Sequence, residues 1–121
     1  MNWTIALVIA IALAVIVVPS LVGRISLEDA HEHLKNGALV IDVRSPGEFN
    51  AAHLPNAINV PLGEIESALP RRVRDKNQAL LMYCHSGMRS GMAKKKLKRL
   101  GYTNVFNLGS YARAARIVIG V

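Results

Sequence analysis

Cysteine is almost missing from this 121-residue chain, which holds one, Cys84. That excludes a disulfide scaffold. Aromatic residues make up 5%, and none interleaves with the basic stretches Arg71 to Arg74 and Lys94 to Arg99, so no nucleic-acid partner is expected. His31, His33 and His53 lack cysteine or carboxylate partners at metal-binding spacing, so neither a metal nor a cofactor is expected. Internal repeats and low-complexity linkers are missing too. Charge is absent from residues 1–23, so all 15 basic and 8 acidic side chains, and the net +7, belong to residues 24–121. That remainder has the ordinary globular share of hydrophobic residues, which fits one domain and excludes a disordered or polytopic chain.

The uncharged segment is rich in Ala, Val, Ile and Leu. From Trp3 to Gly23 a helix would extend about 31 Å at 1.5 Å per residue, close to the ~30 Å hydrocarbon core of a bilayer. Trp3 would lie at one interface, and Pro19 falls where a helix can end. No Lys or Arg precedes the run, and Leu21-Val22-Gly23 is not a small-x-small cleavage site, which argues against a signal peptide. The expectation is a single transmembrane anchor over residues 1–23. Arg24 and Lys35 follow the span, which leans the domain towards the cytoplasmic side. The basic face would then meet anionic lipid headgroups.

Residues 24–121 alternate between strand-like and helical patterns. The apolar runs Ala38–Val43, Ala57–Val60, Ala79–Cys84 and Asn104–Leu108 read as strands, with Ser45-Pro46-Gly47 a breaker after the first. A helix is expected from Ser26, capped ahead of acidic residues and closed by Gly37. A short one covers Glu64 to Leu69. A third, Ser90 to Leu100, is amphipathic, with Ala93, Leu97 and Leu100 on one face, and Gly101 closes it. Strand–helix alternation at this spacing implies an α/β fold with a mostly parallel sheet and helices on both faces.

In such sheets, sites form where strands feed into helices. Cys84 ends the third strand, and His85-Ser86-Gly87-Met88-Arg89 leads to a helix. A turn of this kind points backbone N–H groups into one concavity at the positive end of a helix dipole, and Gly87 lets the backbone turn tightly. A thiol at its centre is expected to have a lowered pKa and to act as a thiolate nucleophile. Arg89 adds a cation at the rim, suited to an oxyanion. His85 follows Cys84 directly and reads as an exposed loop residue, since the N–H groups make a base unnecessary.

These residues resemble the rhodanese-homology family of single-domain sulfurtransferases. Its active loop, Cys-x-x-Gly-x-Arg, matches Cys84 to Arg89. A second signature matches Asp42-Val43-Arg44-Ser45-Pro46-Gly47-Glu48-Phe49 and continues as His53-Leu54-Pro55-Asn56-Ala57-Ile58-Asn59-Val60-Pro61. With Gly101-Tyr102-Thr103-Asn104-Val105, the likeness extends across residues 24–121. It implies a five-stranded sheet, with Arg24-Ile25 supplying the fifth strand. It also implies sulfur transfer from a small anionic donor such as thiosulfate through a Cys84 persulfide to a thiol, cyanide or a protein acceptor. His85, Ser86, Gly87, Met88 and Arg89 would bind substrate, Arg44 would help line the entrance, and Asp42 would be structural. Ala52 stands where the family usually has glycine, and Gly109 to Ala114 replaces a glycine pair and a later tryptophan.

With no second cysteine, a persulfide cannot resolve internally, and the acceptor must be another molecule. Two alternatives are a slow or non-catalytic persulfide carrier docking a partner at the membrane, and a phosphatase built on the same turn. The related phosphatases place five residues between nucleophile and arginine. Here four intervene, which sizes the cavity for sulfur.

Overall fold

The computed structural model describes the backbone of residues 2–21 and 23–120, and the side chains of residues 2–15 and 23–120. Helix α1 covers Trp3–Leu21. Its described side chains are solvent-exposed, Trp3 at 73% and Val8 at 65%, and none enters a core cluster. Among the described residues no helix is long and apolar enough to cross a membrane. The described residues therefore lend no support to the expected transmembrane anchor, its single-pass localisation or the lipid contact. Pro19 and the Leu21-Val22 pair lie outside the residues whose side chains are described.

After α1 come α2 (Leu27–Lys35), β1 (Leu39–Asp42), α3 (Pro46–Ala51), β2 (Ile58–Asn59), a 3-10 turn (Leu62–Glu64), α4 (Ile65–Arg72), β3 (Leu80–Cys84), α5 (Met88–Arg99), β4 (Val105–Ser110) and α6 (Tyr111–Ile119). The four strands form one sheet in the order β2-β1-β3-β4, and every pairing is parallel. This is the α/β architecture expected from the alternation of patterns. Among the described residues the fifth strand is not formed: Arg24 makes a single bridge to Asn107. The chain leaves the sheet edge at once because Ser26 caps α2, its Oγ accepting from the Asp29 amide at 3.1 Å.

Period-two alternation sorts the side chains of β3 between two cores. Leu80, Met82 and Cys84 face a cluster with Ile65, Leu69, Ala93 and Leu97 from α4 and α5. Leu81 and Tyr83 face the opposite cluster, with Ala30 of α2 and Ala114 and Ile117 of α6. All five β3 residues are buried, as a strand covered on both faces requires. Ser45-Pro46-Gly47, expected as a breaker, instead opens α3. Ser45 is the N-cap of a capping box with Glu48, and Pro46 takes the first helical position, where its missing N–H costs nothing. The last helix forms despite the substitutions around it, because Ser110 caps α6 by accepting from the Arg113 amide at 3.2 Å.

Candidate active site

Cys84 stands at the carboxyl end of β3, and its side chain points towards α5 because it shares a face with Leu80 and Met82. Helix α5 begins two residues earlier than its apolar pattern indicates. Its N-cap is Gly87, with φ 97°, a conformation that costs a side-chain-bearing residue about 1–2 kcal/mol. That left-handed turn aims the Gly87 amide at the sulfur, with N to Sγ at 3.0 Å. The Ser90 hydroxyl lies 3.6 Å from the same sulfur. Burial pushes the Cys84 thiol up, but donation from the Ser90 amide, the Ser90 hydroxyl and the amides of Gly87 and Ser86 outweighs it, and the net shift is downward. A pocket of inward-facing amides thus favours the thiolate without any base.

The loop is tied down on its outer side. Ser86 bridges to Ser110, and the Tyr111 amide donates to the His85 carbonyl at 3.3 Å. His85, Ser86 and Met88 are exposed, whereas Gly87 is buried. Arg89 does project at the mouth, yet its charge is already engaged: its Nη1 and Nη2 donate to Glu48 Oε1 and Oε2 at 2.7 and 3.0 Å. Glu48 is held from behind by the Ser45 amide and hydroxyl. Arg44 is not free at the entrance. It is buried, and its Nη2 donates to Asp42 Oδ2 at 2.8 Å and to the Ala52 carbonyl at 2.6 Å.

Two site residues escaped the sequence reading. Glu48 sits 41 positions from Arg89, although the Ser45-x-x-Glu48 pattern was visible as a capping box. Asn107 lies buried on β4 and joins Ser90 to Gly87; its signal was an amide residue inside an apolar strand. Ser90, read only as the first residue of the third helix, is fully buried beside the sulfur.

The Arg89 guanidinium and the Ser45 amide hold the Glu48 carboxyl down to about 2, against an ordinary 4.5. A depressed carboxylate contributes stability that is present above the ordinary value and is lost as pH falls through the folded one. The pair is one-third exposed, so its contribution is below about 1 kcal/mol. In urea unfolding, the stability gap between the native chain and Glu48→Gln is expected to narrow between pH 4.5 and pH 2. An equal gap at both ends would remove the ion pair as its cause.

Comparison with known proteins bears on this geometry. A family model described as "Rhodanese-like domain" matches residues 26–113. The chain is 44% identical over 69 residues to the thiosulfate sulfurtransferase PspE of Escherichia coli K12, covering 57% of this chain and 66% of PspE. It is 35% identical over 95 residues to the putative sulfur carrier protein YrkF of Bacillus subtilis 168, covering 74% of this chain and 48% of YrkF. It therefore spans less than two thirds of either relative. The structure of the human single-domain sulfurtransferase TSTD1 superposes with a TM-score of 0.67 at 30% identity, covering 78% of this chain and 96% of that one.

Proposed function

The chain belongs to the rhodanese-like domain family, and from that premise we propose that it transfers sulfane sulfur through a persulfide on Cys84. The Cys84 thiolate attacks the outer sulfur of a donor such as thiosulfate. The donor's S–S bond breaks, sulfite departs with the electron pair, and a Cys84–S–S⁻ persulfide remains. An external thiolate or cyanide then attacks the terminal sulfur, and the Cys84 thiolate is regenerated. The observation that carries this reading is the Gly87 amide 3.0 Å from Sγ at the mouth of a strand-to-helix turn, where negative sulfur is stabilised in both the thiolate and the persulfide. His85, Ser86, Gly87, Met88 and Arg89 line the place where the donor would sit. Arg44 contributes through its bond to Asp42, not as a free cation.

Incubation of the native chain with thiosulfate is expected to add one sulfur atom to the protein mass, and cyanide is expected to remove it as thiocyanate. No mass gain from a folded chain, or hydrolysis of a phosphate ester in its place, would overturn the reading. A persulfide carrier is the second reading, favoured by the likeness to YrkF. Stoichiometric loading without turnover on cyanide would select it.

A further inference from the structure

Asn107 makes three hydrogen bonds around the nucleophile, and its two backbone partners fix which way its amide points. The Gly109 amide can only donate, so it faces Oδ1, at 2.9 Å. The Gly87 carbonyl can only accept, so it faces Nδ2, at 3.1 Å. Oδ1 is thereby turned to the Ser90 hydroxyl, at 2.6 Å. Ser90 has one proton and three acceptors within reach: Asn107 Oδ1, the Gly87 carbonyl at 3.1 Å and Cys84 Sγ at 3.6 Å. One hydroxyl donates to one acceptor at a time.

The strand is shaped to deliver this side chain. The β3–β4 register slips at Met82/Tyr83, pairing Met82 with Asn107 but Tyr83 with Gly109, so Leu108 is the extra residue of a bulge. Gly109 takes φ 97°, and a Cβ there would come within 3.0 Å of the Arg24 side chain. Asn107 closes the bulge through the Gly109 amide and reaches across to α5 from the same residue.

We propose that Asn107 is a positioning residue for sulfur transfer: it clamps the Gly87 carbonyl so that the Gly87 amide stays aimed at Cys84, and it holds the Ser90 hydroxyl ready to turn onto the sulfur when negative charge develops there. This deepens the persulfide reading and rests on it. Gly87 and Ser90 touch the reacting sulfur, and Asn107 acts through them. The charged groups facing the sulfur are Arg89 of α5, and behind it Glu48 of α3 paired to Arg89.

The test reads the thiol itself, through the pH dependence of Cys84 alkylation by iodoacetamide in the full chain. Asn107→Leu removes all three bonds. Asn107→Asp is isosteric, keeps Oδ1, and sets a carboxylate oxygen against the Gly87 carbonyl. Asn107→Asp, and Asn107→Leu measured against a Ser90→Ala background so that the freed hydroxyl cannot donate to the sulfur instead, are each expected to raise the alkylation midpoint by about half a pH unit or more, a roughly threefold loss of thiolate below the midpoint. Transfer should slow through kcat while KM for thiosulfate stays within about twofold. An unchanged or lowered midpoint in a folded variant overturns the proposal. On the native chain, the Asn107 side-chain amide resonances are expected to titrate with the same midpoint as alkylation, and their failure to respond would also overturn it. The alkylation and resonance readouts need no sulfur uptake, so a chain that takes up no sulfur would sink the persulfide reading while leaving these two tests intact.

Discussion

Cys84→Ser is expected to fold and to lose all detectable sulfur loading, with turnover falling at least about a thousandfold. The two side chains are close in size, and a serine hydroxyl can still accept from the Gly87 amide that now meets Sγ at 3.0 Å. What is lost is ionisation. The amides around Cys84 bring its thiol below the ordinary value of 9.0, whereas an alcohol stays protonated in the same surroundings, and oxygen cannot form a persulfide. The native rate should climb with pH and level off earlier than that of a free thiol. Mass spectrometry after thiosulfate treatment, with thermal unfolding to establish the fold, checks both parts. Sulfur retained by Cys84→Ser would show that loading occurs elsewhere, and the site would have to be abandoned.

The sheet was legible because its strands are short apolar runs bounded by breakers, and burial on both faces leaves such runs nothing else to become. The position of Cys84 followed from the same pattern. Long-range partners did not. Arg89 announces a cation, but nothing near it in sequence reveals that Glu48 of α3 neutralises it. Ser45-Pro46-Gly47 was ambiguous in a more local way. The residues that break a strand also start a helix, and the Ser45–Glu48 box decides for the helix. The fifth strand failed because Arg24-Ile25 is clamped between the bulge of β4 and the Ser26 cap, leaving room for one bridge. The bulge was invisible for its own reason: one extra residue in a strand shifts the register without altering the composition.

Asp42 and Arg44, which the resemblance gave separate structural and entrance-lining roles, form one buried ion pair, and their separation is expected to carry the largest stability effect in the domain. Asp42 is fully buried and Arg44 nearly so. The guanidinium Nε donates to both carboxylate oxygens at 3.1 Å, and the Arg44 amide donates to Oδ1 at 2.9 Å. The Arg44 side chain also lies over the Tyr111 ring, 4.7 Å from its centroid. Asp42→Asn removes the countercharge while the packing around Arg44 keeps the cation buried. Breaking a buried pair in this way costs about 3–5 kcal/mol, a large share of the ~5–15 kcal/mol that holds a typical domain. Urea unfolding should show the midpoint falling with the slope unchanged. The double change Asp42→Asn, Arg44→Met should recover much of the loss, because it removes the stranded charge and retains an apolar chain over Tyr111. The pair also anchors the end of α3, since Arg44 Nη2 donates to the carbonyl of its C-cap, Ala52. Asp42→Asn should therefore loosen Glu48 and, through it, Arg89. A shift below about 1 kcal/mol would place the pair with surface ion pairs in energy, and α3 would need another anchor.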